Sequence, residues 1–159
     1  MINRLTITKE YTWDMAHMLA EHEGLCLNVH GHTYKMQVDV ARKQGATFVQ
    51  TTGPASGMVT DFKELKEVVA NNLVCTLDHS FMYWTKSPDQ VEHVIANALI
   101  GANRRVIQVP YRPTAENMAM DFIMLINRSL KLREADYFVT SLRIWETPTS
   151  FAEVHYNGN

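Results

Sequence analysis

The run Thr33-Tyr34-Lys35-Met36-Gln37-Val38-Asp39-Val40 alternates polar and apolar side chains, as expected of a strand with one wet and one buried face. This strand is expected over about 32–41. A first strand is expected over 4–14, where Leu5, Ile7 and Thr12 are β-compatible types. The loop between them, 15–29, carries His17, His22 and Cys26. Residues 42–57 are polar, with turn signals at Gly53-Pro54 and Ser56-Gly57, and read as a long exposed connection. The period then changes. Asp61 reads as a helix N-cap with Glu64 completing a capping box, and Leu65, Val68, Val69 and Leu73 recur at helical spacing. This helix is expected to stop before Leu77-Asp78-His79. Ser87-Pro88-Asp89 starts a second helix, with proline at the first helical position, that ends near Gly101. Val106 to Val109 is a short β-like run. Pro113-Thr114 opens a third helix with Met118, Phe122, Leu125 and Ile126 as its apolar stripe. Residues 136–146 and 150–156 read as the last strands, split at Thr147-Pro148. Two strands, then helices, then two strands predict a single α+β domain over 1–159, an antiparallel sheet with helices on one face.

Composition narrows the function classes. A chain of 159 residues that is 46% hydrophobic can bury a real core. A formal net charge of -2 leaves no basic footprint for nucleic acid. The apolar runs are too short to span a bilayer, and Met1-Ile2-Asn3-Arg4 lacks the apolar stretch of a signal peptide. Two cysteines make no disulfide framework, so a reducing cytoplasm is the expected compartment. Cys75 ends the apolar segment Val68 to Val74 and reads as a buried, inert core thiol.

Cys26-Leu27-Asn28-Val29-His30-Gly31-His32 carries the chemistry. Residues two apart on a strand face the same side, so His30 and His32 can aim both imidazoles at one point if the strand begins early. Neutral imidazole is a common zinc ligand, and a catalytic zinc takes three protein ligands and keeps one position open. His17 is the third candidate ligand. A thiol at Cys26 beside such a site is a candidate acid or base, or a fourth ligand that would close a structural site.

The ordered set His17, Cys26-x3-His30-Gly31-His32, Gly57-Met58-Val59-Thr60-Asp61-Phe62, Leu77-Asp78-His79, Pro113-Thr114-Ala115-Glu116-Asn117 and Trp145-Glu146-Thr147-Pro148-Thr149 resembles the 6-pyruvoyltetrahydropterin synthase family. Three residues between the cysteine and His-Gly-His resemble the 6-carboxytetrahydropterin synthase branch, whose product leads to queuosine and other 7-deazaguanines; the animal pyruvoyl enzymes have five. The chain departs from compact bacterial members by extra residues near 42–55 and an added helix near 88–101, and Glu23 in the cysteine loop reads as solvated.

The resemblance implies the tunnelling fold: a four-stranded antiparallel sheet per subunit, trimers closing into a barrel, two trimers forming a homohexamer, and active sites at subunit interfaces. It implies that Zn2+ is held by His17, His30 and His32, and that 7,8-dihydroneopterin triphosphate becomes 6-carboxytetrahydropterin, acetaldehyde and triphosphate. Cys26 would be the general base, Asp78 and His79 a proton relay, and Glu146 the anchor of the pterin edge. Glu116 fits either a pterin contact or a first-turn carboxylate favoured by the helix dipole. The triphosphate needs cations, for which Lys35, Arg104, Arg105, Arg112 and Arg143 are available. The alternatives are the pyruvoyl-forming synthase and a non-catalytic zinc-bearing pterin-binding protein.

Overall fold

The alternation read from Thr33 onward continues in both directions: β2 runs His30–Arg42 and pairs antiparallel with β1, Ile7–His17. β1 thus extends into the segment expected as loop and ends at His17, and β2 begins two residues before its expected start. These observations come from a computed structural model describing residues 2–43 and 47–158, so residues 44–46 of the expected 42–57 connection lie outside the described residues. Along β1, Tyr11, Trp13, Met15 and His17 are buried, and along β2 Tyr34, Met36, Val38 and Val40 are, each at every second position.

Helix α1, Phe62–Val69, begins at Asp61, whose carboxylate accepts from the Lys63 N–H at 2.7 Å. Glu64 does not complete a capping box. It accepts instead from the Thr60 hydroxyl at 3.1 Å and the Tyr137 hydroxyl at 3.0 Å, tying the helix start to the sheet. A π-turn, Ala70–Val74, and a last turn α2, Cys75–Leu77, prolong α1. Cys75 is exposed, not buried. Leu73 and Leu77, four apart, carry the buried stripe, so the residue midway between them points away.

Strand β3, Ser80–Trp84, was not legible as a strand. It pairs parallel with β1 and with β4, Val106–Val109. Between them lies α3, Gln90–Gly101, capped by Asp89, so Pro88 precedes the cap instead of opening the helix. The third expected helix is α4, Ala115–Leu132, capped by Thr114. β5, Tyr137–Thr147, and β6, Ser150–His155, complete a six-stranded sheet in the order β4-β3-β1-β2-β5-β6. The four antiparallel strands are those expected; β3 and β4 add a parallel edge.

Helices α1 and α4 cover one face of the sheet, where Leu65, Val68, Phe122 and Ile126 pack with Trp13, Tyr34 and Met36. Helix α3 covers the opposite face at the added edge, through Ala96 against Met18, Phe81 and Tyr83. It is anchored by the buried Glu92 carboxylate, which accepts from the Trp84 N–H at 2.9 Å. No described helix is long and apolar enough to cross a membrane.

Phe122 is 1% exposed and packs edge-on against Trp13 with centroids 6.4 Å apart. Phe122→Ala is expected to destabilise the fold by about 3–5 kcal/mol, read as a lowered urea midpoint with the slope retained.

Candidate metal centre and relay

β1 and β2 are registered so that His17 lies directly opposite His30 and Met15 opposite His32. All three histidines project toward the helix-covered face, at the end of the buried rows. Each offers a ring nitrogen within 4.8 Å of the others. Gly31, between the two histidines of β2, sits at a close approach, since a Cβ there would lie a tight 3.2 Å from the Met15 carbonyl oxygen.

The hydrogen bonds set the tautomers. His17 Nδ1 lies 2.7 Å from the Pro113 carbonyl and His30 Nδ1 2.8 Å from the Asn28 carbonyl. A carbonyl only accepts, so both Nδ1 atoms carry the proton and both Nε2 atoms present lone pairs. Those Nε2 atoms face each other at 3.1 Å. Two lone pairs at this distance repel, and a cation between them relieves it. A tetrahedral metal with bonds of about 2.0–2.1 Å holds two nitrogens roughly 3.3 Å apart. Backbone carbonyls behind the ligand rings are the usual outer support of a metal-binding histidine. The residues therefore fit a divalent metal.

Burial pushes the His17 pKa down to about 4, reinforced by His30 and His32 and opposed by the Pro113 carbonyl. His32 is shifted down as well, chiefly by burial. Both are neutral near pH 7, as ligation requires. The 3.8 Å approach of Glu146 Oε1 to His17 Nε2 is accordingly not an ion pair. Glu146 follows Leu142 and Ile144 on the inward side of β5, at a bulge between Trp145 and Thr147, and accepts from the Tyr34 hydroxyl at 3.4 Å. Its carboxylate thus adjoins the histidines. Glu116 is exposed in the first turn of α4.

Cys26 lies half-buried in a short 3-10 turn, Leu25–Leu27, and its carbonyl accepts from the Leu19 N–H at 2.9 Å, folding the loop back onto the end of β1. Its thiol is not among the clustered ligand atoms. Glu23 is exposed. Asp78 and His79 contact each other, with Oδ1 and Nδ1 3.0 Å apart. Asp78 Oδ1 also accepts from the Asp14 N–H at 3.0 Å, and the His79 N–H donates to the Asp14 carbonyl at 2.7 Å. The Asp14 backbone bond, more than His79, holds the Asp78 carboxyl below its ordinary range. The exposed Asp14 side chain, bonded to the Thr33 hydroxyl at 2.5 Å, belongs to the sheet face opposite the histidines. Within one chain, the sheet separates this pair from the histidine set, and among the described residues neither Asp78 nor His79 is hydrogen-bonded to Cys26. The Asp14 partnership was invisible to sequence reasoning, since it depends on the unforeseen β3 lying beside β1.

A family model described as 6-pyruvoyl tetrahydropterin synthase matches residues 6–157. The chain belongs to this family. It is 40% identical over 147 residues to the 6-carboxy-5,6,7,8-tetrahydropterin synthase of Haemophilus influenzae, an alignment spanning 92% of this chain and 96% of that one. It is 28% identical to the enzyme of the same name from Rickettsia conorii, over 92% and 97% of the two chains. The fold is similar to that of the Plasmodium falciparum 6-pyruvoyl tetrahydropterin synthase, with TM-score 0.65 and 22% identity over 96% and 97% of the chains. The Caenorhabditis elegans synthase gives 0.60 and 22% over 99% and 100%. The family's tunnelling fold is thus the architecture of this chain, with six strands in place of four.

Metal-free protein should lose stability on acidification. The unfolded chain protonates His17 near 6.5, the folded one only near 4, so between these values the unfolded state binds the extra proton. Urea unfolding of metal-free protein at stepped pH should show stability falling from about pH 6.5 toward 4, by on the order of 3 kcal/mol for this group.

Proposed function

We propose that the chain is a zinc-dependent 6-carboxy-5,6,7,8-tetrahydropterin synthase, a lyase converting 7,8-dihydroneopterin triphosphate to 6-carboxytetrahydropterin, acetaldehyde and triphosphate. The 40% identity to the Haemophilus influenzae synthase across nearly the whole of both chains carries this reading. The convergent histidines support its chemistry.

His17, His30 and His32 would hold Zn2+, which when bound supplies Lewis acidity toward the hydroxyl oxygens of the substrate side chain. The protein's own groups do the rest. The Pro113 and Asn28 carbonyls fix the imidazoles before metal arrives. The Glu146 carboxylate can accept two hydrogen bonds from the amino and N–H edge of a pterin, which would place the ring beside the histidines. Cys26, as thiolate, would take the proton from the substrate carbon. Asp78 would orient His79, which returns or removes protons. Because the sheet separates histidines from relay within one chain, one active site would combine the metal set and thiol of one subunit with the relay of its neighbour. This supports the interface sites and the hexamer implied by the family. The reading places the enzyme in the cytoplasm, on the route to queuosine and related 7-deazapurines.

Incubation with 7,8-dihydroneopterin triphosphate should release acetaldehyde in step with 6-carboxytetrahydropterin. A pyruvoyl product without acetaldehyde would instead establish the pyruvoyl-forming reaction. Cys26→Ala should lower kcat at least 100-fold, in keeping with loss of a general base.

Elemental analysis of the purified protein should find about one zinc per chain, and His30→Ala should abolish it while the fold persists by circular dichroism. Stoichiometric zinc in that variant would contradict the ligand assignment.

A further inference from the structure

The Asp78–His79 pair opens onto a cleft beside the β1–β2 pairing, whose lining includes Asp14, Ala16, Thr33, His79 and Ser80 and also reaches Met15 and His32. His79 and Ser80 also begin a second cleft, which continues to Leu99, Asn103, Arg104 and Arg105. The two form one trough from the relay to a pair of arginines, in the segment that joins α3 to β4. That segment is rigidly built. The Arg104 N–H bonds back to the Leu99 carbonyl at 2.8 Å and the Asn103 N–H to Ile100 at 2.9 Å, with Asn103 in the left-handed region at φ 55°. This six-to-one closure is a Schellman-type helix stop, which fixes where the following residue starts. The Arg105 carbonyl then accepts from the Phe81 N–H at 3.0 Å, locking the turn beside β3.

The two arginines differ in their commitments. The Arg105 guanidinium bonds the Cys75 carbonyl at the end of the α1–α2 helix and lies 3.4 Å from the Thr76 carbonyl. From there its charge contributes to holding Asp78 ionised. Arg104 is exposed and, among the described residues, makes no side-chain hydrogen bond or ion pair. The other candidate cations include two that are occupied: Lys35 sits 4.0 Å above the Trp145 ring and 3.5 Å from Glu10, and Arg143 is 2.9 Å from Glu153.

We propose that Arg104 and Arg105 form the subsite for the oligophosphate tail of the substrate, contributed by the same subunit that supplies the relay. The guanidinium fork matches phosphate oxygens in bidentate geometry, and two such groups in sequence suit a chain of phosphates. Arg105, half engaged with carbonyls, gives a fixed positive floor; Arg104 gives the hydrogen bonds that ligand binding makes. The trough then sets the distance between His79 and the phosphates, and the substrate's side chain would span that distance. This subsite rests on the proposed pterin triphosphate reaction for its physiological ligand, but not for its affinity for oligophosphate.

Calorimetry with inorganic tripolyphosphate on the zinc-loaded full chain tests it directly. Arg104→Ala should weaken tripolyphosphate binding about ten-fold, as expected for loss of charge-assisted hydrogen bonds, and Arg104→Lys should restore part of it. The preference in kcat/KM for 7,8-dihydroneopterin triphosphate over dephosphorylated 7,8-dihydroneopterin should fall by a similar factor. Arg105→Lys keeps the charge without the fork and guards against a variant that fails only by loosening the helix end. Unchanged tripolyphosphate affinity in Arg104→Ala would overturn the subsite, whatever the enzyme turns over. Tripolyphosphate binding that depends on Arg104, in a protein that releases no acetaldehyde, would uphold the subsite and overturn the proposed reaction.

Discussion

The site depends on one pairing register. Because β1 and β2 run antiparallel with His17 opposite His30, the alternation that buries Tyr11, Trp13 and Met15 also turns His17 inward, and the alternation that buries Tyr34 and Met36 turns His30 and His32 inward. A slip of one residue would send one strand's set to the opposite face and bury its polar neighbours. The hydrophobic core thus enforces the ligand geometry: the histidines are the last members of two apolar rows. Gly31 lets the strands approach there, and the Pro113 carbonyl reaches His17 from the turn that opens α4. Separate elements converge because each is already fixed by packing elsewhere.

The same logic explains what could be read from sequence. Strands covered on one face alternate, so β2 was legible from Tyr34 onward, and helices with a polar flank declared themselves through Asp61 and Thr114. β3 has no polar face. Ser80 to Tyr83 are all buried, because α3 packs against Phe81 and Tyr83 while Met82 faces the main core. A short strand buried on both sides carries no period of two, and its parallel pairing with β1 and β4 gives no hairpin turn to mark it. The early start of β2 could be stated only as a condition, because Gly31 is a weak strand former and its extended shape is set by pairing with Ala16 of β1.

The candidate metal set was legible because His30 and His32 lie two apart on one strand, with His17 on its neighbour. The relay's surroundings were not, because Asp78 and His79 are positioned by the main chain of Asp14, 64 residues away from Asp78 in sequence. Their side chains cluster with the Asp14 carboxylate, whose position on β1 alternates away from the histidines. If Asp78 and His79 serve as the proposed acid-base pair and the histidines as the proposed metal ligands, a monomer would hold the two apart, and assembly would be the economical way to bring them together. On the proposed reading each copy would offer both halves to different neighbours, and catalytic competence would be tied to oligomerisation.

Glu146 links the core to the rim of the histidine cluster. Tyr34 is fully buried and stacked on Trp13, with centroids 5.4 Å apart and planes 10° from parallel. Burial, and then the Glu146 carboxylate, raise its pKa well above the ordinary tyrosine value, so the hydroxyl stays protonated and remains a donor. Its bond to Glu146 Oε1 fixes one arm of a carboxylate that is otherwise at the rim, with the side chain 29% exposed. A pterin edge held by that carboxylate would inherit its position from the Tyr34–Trp13 stack, and so from Phe122 of α4. On the proposed reading, loosening that stack would move the ring relative to the histidines without touching either, and the aromatic core would then influence turnover as well as stability.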